Sequence, residues 1–564
     1  MRVATSRRAT FLLAVVAAVE VDGRVAVQPI HKTASVTISP SGSFEVKAGV
    51  LDPTSTAWGS FENGLNITGW GVLDVRTNGR YSDAEQHRAA GIVEGVLTAD
   101  QIYPTYLNNL AFTFRGTPPA KVVQFLAAQE TWAKAQVQAA KSSDPFWTHV
   151  GSVLSQFDGL VEGYNHVVSQ GHVPPVSRFG FQMLNAIGDL FQIVPAVEQS
   201  RRLDWGAMSR SEIVAALKKA GHCSALIKVT GAYDDLFMSH SSWFEYANMN
   251  RIFKHYHFEF STPAGANRIS FSSYPGYLES LDDFYMMDSG LGMVQTSNGV
   301  MNNSLYDLIT PSSLLAWQRV RVASAIASTG EEWWNAFRTN ASGTYVNQYM
   351  VVDFKKFTPA QALKPGTLWV VEEIPGLVAG GDQTETLERG YWPSYNVPFY
   401  GEVYSRSGYS AHLDRAAGRD NAGIITNGLG PEYQIGAPRS QIFRRDQGKV
   451  VDMTSFKELL RYANYSDPIA VSNGHVDYGA ALCMRGDLSD GGKGGAGGCY
   501  DTKVTSWRHG FFNLTCEAVN GPSSTASTRG STNPPFAWRP SDGSHVGLPS
   551  IYNFPFTRIA PRAL

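Results

Sequence analysis

The stretch Lys218–Met249, KKAGHCSALIKVTGAYDDLFMSHSSWFEYANM, places Cys223 at the mouth of an apolar run, between His222 and Ser224. SALIKV is short, apolar and closed by a Gly231 turn, the pattern of a buried strand. DLFMSHSSW repeats the pattern after a polar turn. Two such neighbours predict an antiparallel pair that brings His240 beside the thiol. Gly221 permits a tight approach before the cysteine, and small Ser224 and Ala225 crowd nothing after it. Each residue also has a plain structural reading: a core cysteine, a polar strand histidine satisfied locally, and Trp243 as packing.

Outward from this stretch, RIFKHYHFEF, RISFSSYP, TYVNQYMVVDF and GTLWVVEEIP are also short, β-branched or aromatic, and punctuated by turn residues. PSSLLAWQRVRVASAIASTGEEWWNAF starts with Pro311 and reads as one or two helices. Upstream, VTISPSGSFEVKAG alternates as a half-buried strand does. The region 121–164 keeps a helical period through Val122, Phe125, Leu126 and Trp132, then through Val150, Val153, Leu154, Phe157 and Val161. SEIVAALKK, in the 203–222 region, has helical period too, in a segment that also suits a processed linker. Strands in succession with helices before and between them predict an α+β layered fold.

The N-terminus, MRVATSRRATFLLAVVAAVEVDG, has Arg2, Arg7 and Arg8 before an apolar run from Ala9 to Val19. This is the plan of a secretory signal peptide, taken here as residues 1–22, and the run is shorter than the roughly 20 residues a spanning helix needs. Sequons at Asn66, Asn302, Asn340, Asn464 and Asn513 agree with a secreted or lysosomal route. The chain has 564 residues, is 43% hydrophobic and 17% charged, and carries a formal net charge of −2. Without a basic run, nucleic acid is not an expected partner. An oxidising compartment makes the four cysteines informative. Cys483 and Cys499 bracket the glycine-rich CMRGDLSDGGKGGAGGC and are expected to form a disulfide, with Cys516 free or paired outside the chain. A bridge between Cys223 and Cys516 is the competing arrangement. No G-x-S-x-G elbow or phosphate-binding loop is present.

Longer motifs carry a resemblance. GHCSALIKV, HSSWFEYANMNRIFKHY, MVQTSNG, YWPSYNVPFY, PRSQIFRRDQGKVVDMTSFKELLRYANY, GGCYDTKV and IYNFPF, with GWGVLDVRTN upstream, resemble the phospholipase B-like (lamina ancestor) family of N-terminal nucleophile hydrolases. The resemblance implies an αββα sandwich of two antiparallel sheets between helical layers. It also implies self-cleavage at His222–Cys223, giving a mainly helical fragment 23–222 that stays bound and a catalytic fragment 223–564. Cys223 would then be an N-terminal nucleophile whose own α-amine serves as base. His240 and Trp243 would shape or polarise the site, and Asn396 would donate to the oxyanion. Thr296 or Ser297 would line it, with one of Arg439, Arg444 and Arg445; the family's usual Thr-Thr is Thr-Ser here.

The activity so implied is release of fatty acyl groups from phospholipids, with peripheral contact to lipid and neither metal nor organic cofactor. The alternatives are an amidase for N-acylated lipids or small molecules, and a secreted binding protein that keeps the fold without turnover.

Overall fold

Alternating residues lay down four strands of one large sheet before the first helix: β1 (Ile30–Ile38), β2 (Phe44–Ala48), β3 (Ala57–Gly64) and β4 (Trp70–Thr77). They are seen in the computed structural model, which describes residues 18–21, 24–27, 29–140, 144–221, 223–414, 436–472, 475–529 and 531–564. The expected signal segment lies largely outside these residues; its Ala18–Val21 pairs with Arg24–Val27 as a short hairpin. Ser82 then opens α1 (Asp83–Phe114) with a capping box to Glu85. α2 (Ala120–Ala139) and α3 (Pro145–Ser169) follow.

α1 and α3 meet backbone to backbone. A Cβ at Gly91 would stand 2.1 Å from the Gln156 carbonyl oxygen, and one at Gly159 would stand 2.0 Å from that of Arg88. Gly95 and Gly163, one turn on, are as tightly placed.

A second capping box, Ser209 with Glu212, opens α4 (Arg210–Ala220), which ends just before Cys223. The expected hairpin is β5 (Ser224–Val229) with β6 (Leu236–Ser241), in register Ala225 to His240. Its turn is closed by Thr230 Oγ1, which accepts from the Asp234 and Asp235 N–H groups at 3.1 Å each. Next come β7 (Ile252–His257), β8 (Arg268–Ser273), β9 (Phe284–Met287) and β10 (Leu291–Ser297). Two helices, α5 (Ala316–Ile326) and α6 (Gly330–Phe337), precede β11 (Asn347–Asp353), β12 (Leu368–Ile374), β13 (Leu377–Asp382) and β14 (Tyr391–Ser394). The chain closes with α7 (Pro438–Asp446), α8 (Met453–Leu460), β15 (Asp501–Ser506), β16 (Cys516–Asn520) and β17 (Thr557–Ile559).

These strands form two sheets, ordered β13-β12-β11-β10-β9-β8-β7-β4-β3-β1-β2 and β14-β5-β6-β15-β16-β17. Their facing sides share one core, with Ala225, Ile227 and Met238 from one sheet against Phe284, Val294 and Met350 from the other. α1, α5 and α6 cover the outer face of the large sheet. α7 and α8 cover the outer face of the small one. The fold is an α+β sandwich in four layers. One detail departs from the expected pair of antiparallel sheets: β7 runs parallel to β4, Ile252 to Gly71 through His257 to Arg76. The N-terminal third is therefore built into the large sheet as well as covering it.

Candidate functional site

Cys223 immediately precedes β5, whose Ala225 and Ile227 enter the inter-sheet core. It is 4% exposed and has no disulfide partner. The cavity beside it measures about 20 Å³ and is lined by Phe191, Ser242, Trp243, Phe244, Leu281 and Tyr345, among others. That is room for one water and not for an acyl chain. Burial pushes the thiol up to about 12, against the opposing pull of the Trp243 backbone N–H and the nearby Lys503 cation. In this intact chain Cys223 is therefore a neutral thiol. Its φ is 86°, and Leu281 and Tyr345 across the cavity have φ of 58° and 52°. Left-handed backbone at non-glycine residues costs of order 1–3 kcal/mol each, so strain is concentrated at this wall.

A half-buried guanidinium ties the cysteine to Asn396. Arg439, in the first turn of α7, donates through Nη1 to the Cys223 carbonyl at 2.6 Å and to Ser224 Oγ at 3.2 Å. Its Nη2 donates to Asn396 Oδ1 at 2.6 Å, and its Cζ lies 4.4 Å from the Trp243 ring centroid. Asn396 has φ 67°, a conformation asparagine tolerates better than most side chains. Its Nδ2 donates to the Ser297 carbonyl at 2.6 Å and to Ser297 Oγ at 3.3 Å. Thr296 faces away, with its hydroxyl 2.7 Å from Ser394 Oγ. Of the three arginines considered from sequence, Arg439 is the one at the site. Arg445 pairs with Asp446 and Asp467, and Arg444 is exposed. Gly221 approaches the same asparagine, since a Cβ there would stand 3.1 Å from Asn396 Oδ1. His222 lies outside the described residues.

His240 is on the strand next to Cys223, as the hairpin requires, but no hydrogen bond links the two. The register pairs His240 with Ala225, two residues on from the cysteine, and it is Ser242 that lines the cavity beside the thiol. Its Nδ1 faces Lys503 Nζ at 3.1 Å and Ser242 Oγ at 3.3 Å. Burial, and then the Lys503 cation, hold the imidazole well below its usual range and neutral. Lys503 is the centre of a buried cluster that the sequence did not announce. Its ammonium donates to Asp282 at 2.5 Å, Asp501 at 2.7 Å and Ser242 Oγ at 2.6 Å. Arg251 bonds the same two carboxylates at 2.9 and 2.8 Å. Asp282 also lines the Cys223 cavity. Its carboxyl is held well below the usual range because Arg251 and Lys503 outweigh the cost of burial. His240, Asp282 and Asp501 present ligating atoms within 4.8 Å of one another, the geometry of a cation site. The cation they face is the chain's own lysine.

Cys483 and Cys499 are bonded, and Trp243 packs on that disulfide while its Nε1 donates to the Leu482 carbonyl at 3.1 Å. The glycine-rich loop is thereby fastened behind Trp243, which lines the Cys223 cavity. Cys516 is a buried free thiol in the inter-sheet core. Asn66, Asn340, Asn464 and Asn513 are exposed. Asn302 is half-buried, and its amide donates to the Arg406 carbonyl at 3.1 Å. Among the described residues, no helix is long and apolar enough to cross a membrane.

The chain is similar to curated proteins over nearly all its length. It is 40% identical to "Phospholipase B-like 1" of Rattus norvegicus, with 94% of this chain and 92% of that protein aligned. It is 39% identical to "Phospholipase B" of Crotalus adamanteus, over 94% and 93%. "Phospholipase B-like protein B" of Dictyostelium discoideum matches at 36%, over 92% and 88%. The family model described as Phospholipase B matches residues 57–559, which takes in the small sheet, the large sheet except its β1 and β2, and every site residue described above. By sequence along its length, with this site inside the matched region, the chain belongs to the phospholipase B family.

Proposed function

We propose that this protein is a phospholipase B-like acyl hydrolase, secreted or lysosomal, that cuts itself between His222 and Cys223 and then uses Cys223 as nucleophile. The observation that carries the reading is the buried, unpaired thiol at a strained residue, bonded through Arg439 to Asn396. In the uncut chain the Cys223 nitrogen is a peptide nitrogen and cannot act as base. Cleavage turns it into an α-amine, whose ordinary pKa of about 7.7–8.0 suits it to take the thiol proton directly or through a water. Cleavage also frees the φ of Cys223 from the chain before it, which releases the local strain.

In turnover the thiolate sulfur attacks the ester carbonyl carbon, and the C–O bond breaks as the glycerol oxygen takes a proton. Water then cleaves the thioester, releasing the fatty acid and restoring the thiol. Asn396 donates to the oxyanion once it gives up its bond to Ser297, and Trp243 holds the sulfur through its backbone N–H. His240, neutral and bonded to Lys503, acts on the site through Ser242. In an acidic compartment the amine would be mostly protonated, and an ammonium–thiolate pair then replaces the free base. The fragment 23–222 stays bound because β4 and β7 are neighbours in one sheet.

The test uses purified protein and its Cys223→Ala variant. N-terminal sequencing should find a chain beginning at Cys223 in wild type only. Radiolabelled phospholipids and N-acyl amides are then offered to both across pH 4 to 8. Ester turnover lost in Cys223→Ala is expected. Equal turnover by the two proteins would refute the mechanism, and turnover of amides alone would replace the lipid substrate.

A further inference from the structure

The segment just before the cut fills a groove. Ile213 and Leu217 of α4, 2% and 8% exposed, pack with Trp205 into a cluster completed by Met301, Val397, Tyr404, Tyr409 and Leu413. The contact is close, since a Cβ at Gly299 would come within 2.6 Å of Leu217 Cδ2. The groove leads to the site: Tyr409 accepts from the Gly299 N–H at 3.0 Å and donates to the Asn396 carbonyl at 3.4 Å.

Chemistry makes that position meaningful. In self-cleavage the Cys223 sulfur attacks the His222 carbonyl carbon, the C–N bond breaks, and the nitrogen leaves as an amine carrying the thiol's proton. The product is a thioester whose acyl group is the upstream chain, with α4 attached; water then releases a carboxylate and the thiol. Lipid hydrolysis passes through a thioester on the same sulfur, with a fatty acyl chain as its acyl group. Both acyl groups leave that sulfur on the same side, and the cavity of about 20 Å³ beside the thiol cannot take either.

We infer that the groove of Met301, Val397, Tyr404, Tyr409 and Leu413, filled in the uncut chain by Ile213 and Leu217, is the fatty-acyl subsite of the cut enzyme. The inference rests on the acyl-hydrolase reading above. α4 is then both the first acyl group the site handles and the plug that keeps lipid out until the cut lets it swing from the groove, while the rest of fragment 23–222 stays bound.

The experiment compares cut wild type with Met301→Ser and Leu413→Ser, each verified as cut by N-terminal sequencing and as folded by thermal melting. Butyryl and palmitoyl phospholipids are the substrates, and tritiated palmitate binding is measured by equilibrium dialysis. Each buried methylene is worth roughly fourfold in binding. The serine variants should lose about tenfold or more on palmitoyl lipid while butyryl turnover stays within about twofold. Palmitate should bind cut wild type and not uncut Cys223→Ala. Ile213→Ala, on the departing plug, should leave the chain-length profile of the cut enzyme unchanged. An unaltered profile in both serine variants, or equal palmitate binding by cut and uncut protein, would overturn the subsite. If no acyl substrate is turned over but palmitate binding still falls in the serine variants, the hydrolase reading fails and the subsite stands.

Discussion

Replacing Lys503 with methionine should destabilise the protein by about 3–5 kcal/mol, the usual cost of removing one partner from a fully buried ion pair. The value follows from charge. Lys503, Arg251, Asp282 and Asp501 are all within 2% of complete burial, with two cations and two anions. Methionine nearly preserves the volume but leaves one negative charge uncompensated and removes the donors to Ser242 and His240. A double-mutant cycle with Asp282→Asn should recover about half the loss, because that variant restores neutrality. The effect also depends on pH. The folded Asp282 carboxyl lies below its unfolded value, so its stabilisation is complete above about pH 4 and is lost as pH falls through the folded value. The deficit of Lys503→Met should therefore be full at pH 7 and shrink below pH 4. Guanidinium unfolding midpoints of the uncut Cys223→Ala chain, with and without Lys503→Met, would measure it. A deficit under 1 kcal/mol at pH 7, or a double variant less stable than Lys503→Met alone, would refute the account of a charge-balanced cluster.

Three further outcomes are expected. Asn396→Ala should lower kcat by about 10²–10³ with the cut intact, read by steady-state kinetics after N-terminal sequencing. Gly159→Ala should cost about 2–3 kcal/mol in chemical unfolding, because its Cβ meets backbone and not a side chain that can swing away. Glu372 accepts from the Phe399 and Tyr400 N–H groups at 2.7 and 3.0 Å, and burial raises its carboxyl to about 7. An acid raised in the folded state loses stability as pH rises from its unfolded value toward the folded one. The stability of Glu372→Gln relative to wild type should therefore improve by up to about 3 kcal/mol between pH 5 and pH 8, measured as unfolding midpoints at both.

Much of the layered fold was legible because its signals are local. The SALIKV and DLFMSHSSW runs became β5 and β6, and the 311–337 region became two helices, as period and turn residues required. The parallel joint of β4 and β7 was not legible, since 174 residues separate Thr77 from Ile252 and neither strand encodes its neighbour's direction. The position of His240 shows a similar limit. Adjacent strands were foreseeable, but register and side-chain partner depend on Lys503, 263 residues away. The cluster itself left one trace, an aspartate and a lysine two apart in the strand-like YDTKVTSW. Arg439 could not be separated from Arg444 and Arg445 until α7 gave each a direction.

The joint between β4 and β7 has a consequence for the proposed cut. Strands from opposite sides of residue 222 lie side by side in one hydrogen-bonded sheet, Gly71–Arg76 against Ile252–His257. While the chain is whole, that pairing closes a loop within one molecule. With the proposed cut made, the same pairing would have to be rebuilt after unfolding by two molecules meeting at their prevailing concentration, each with a bare strand edge and half of a core. Such pieces aggregate before they reassociate. A protein cut there would thus be a one-way product, persisting by the height of its unfolding barrier, with its lifetime set by a rate.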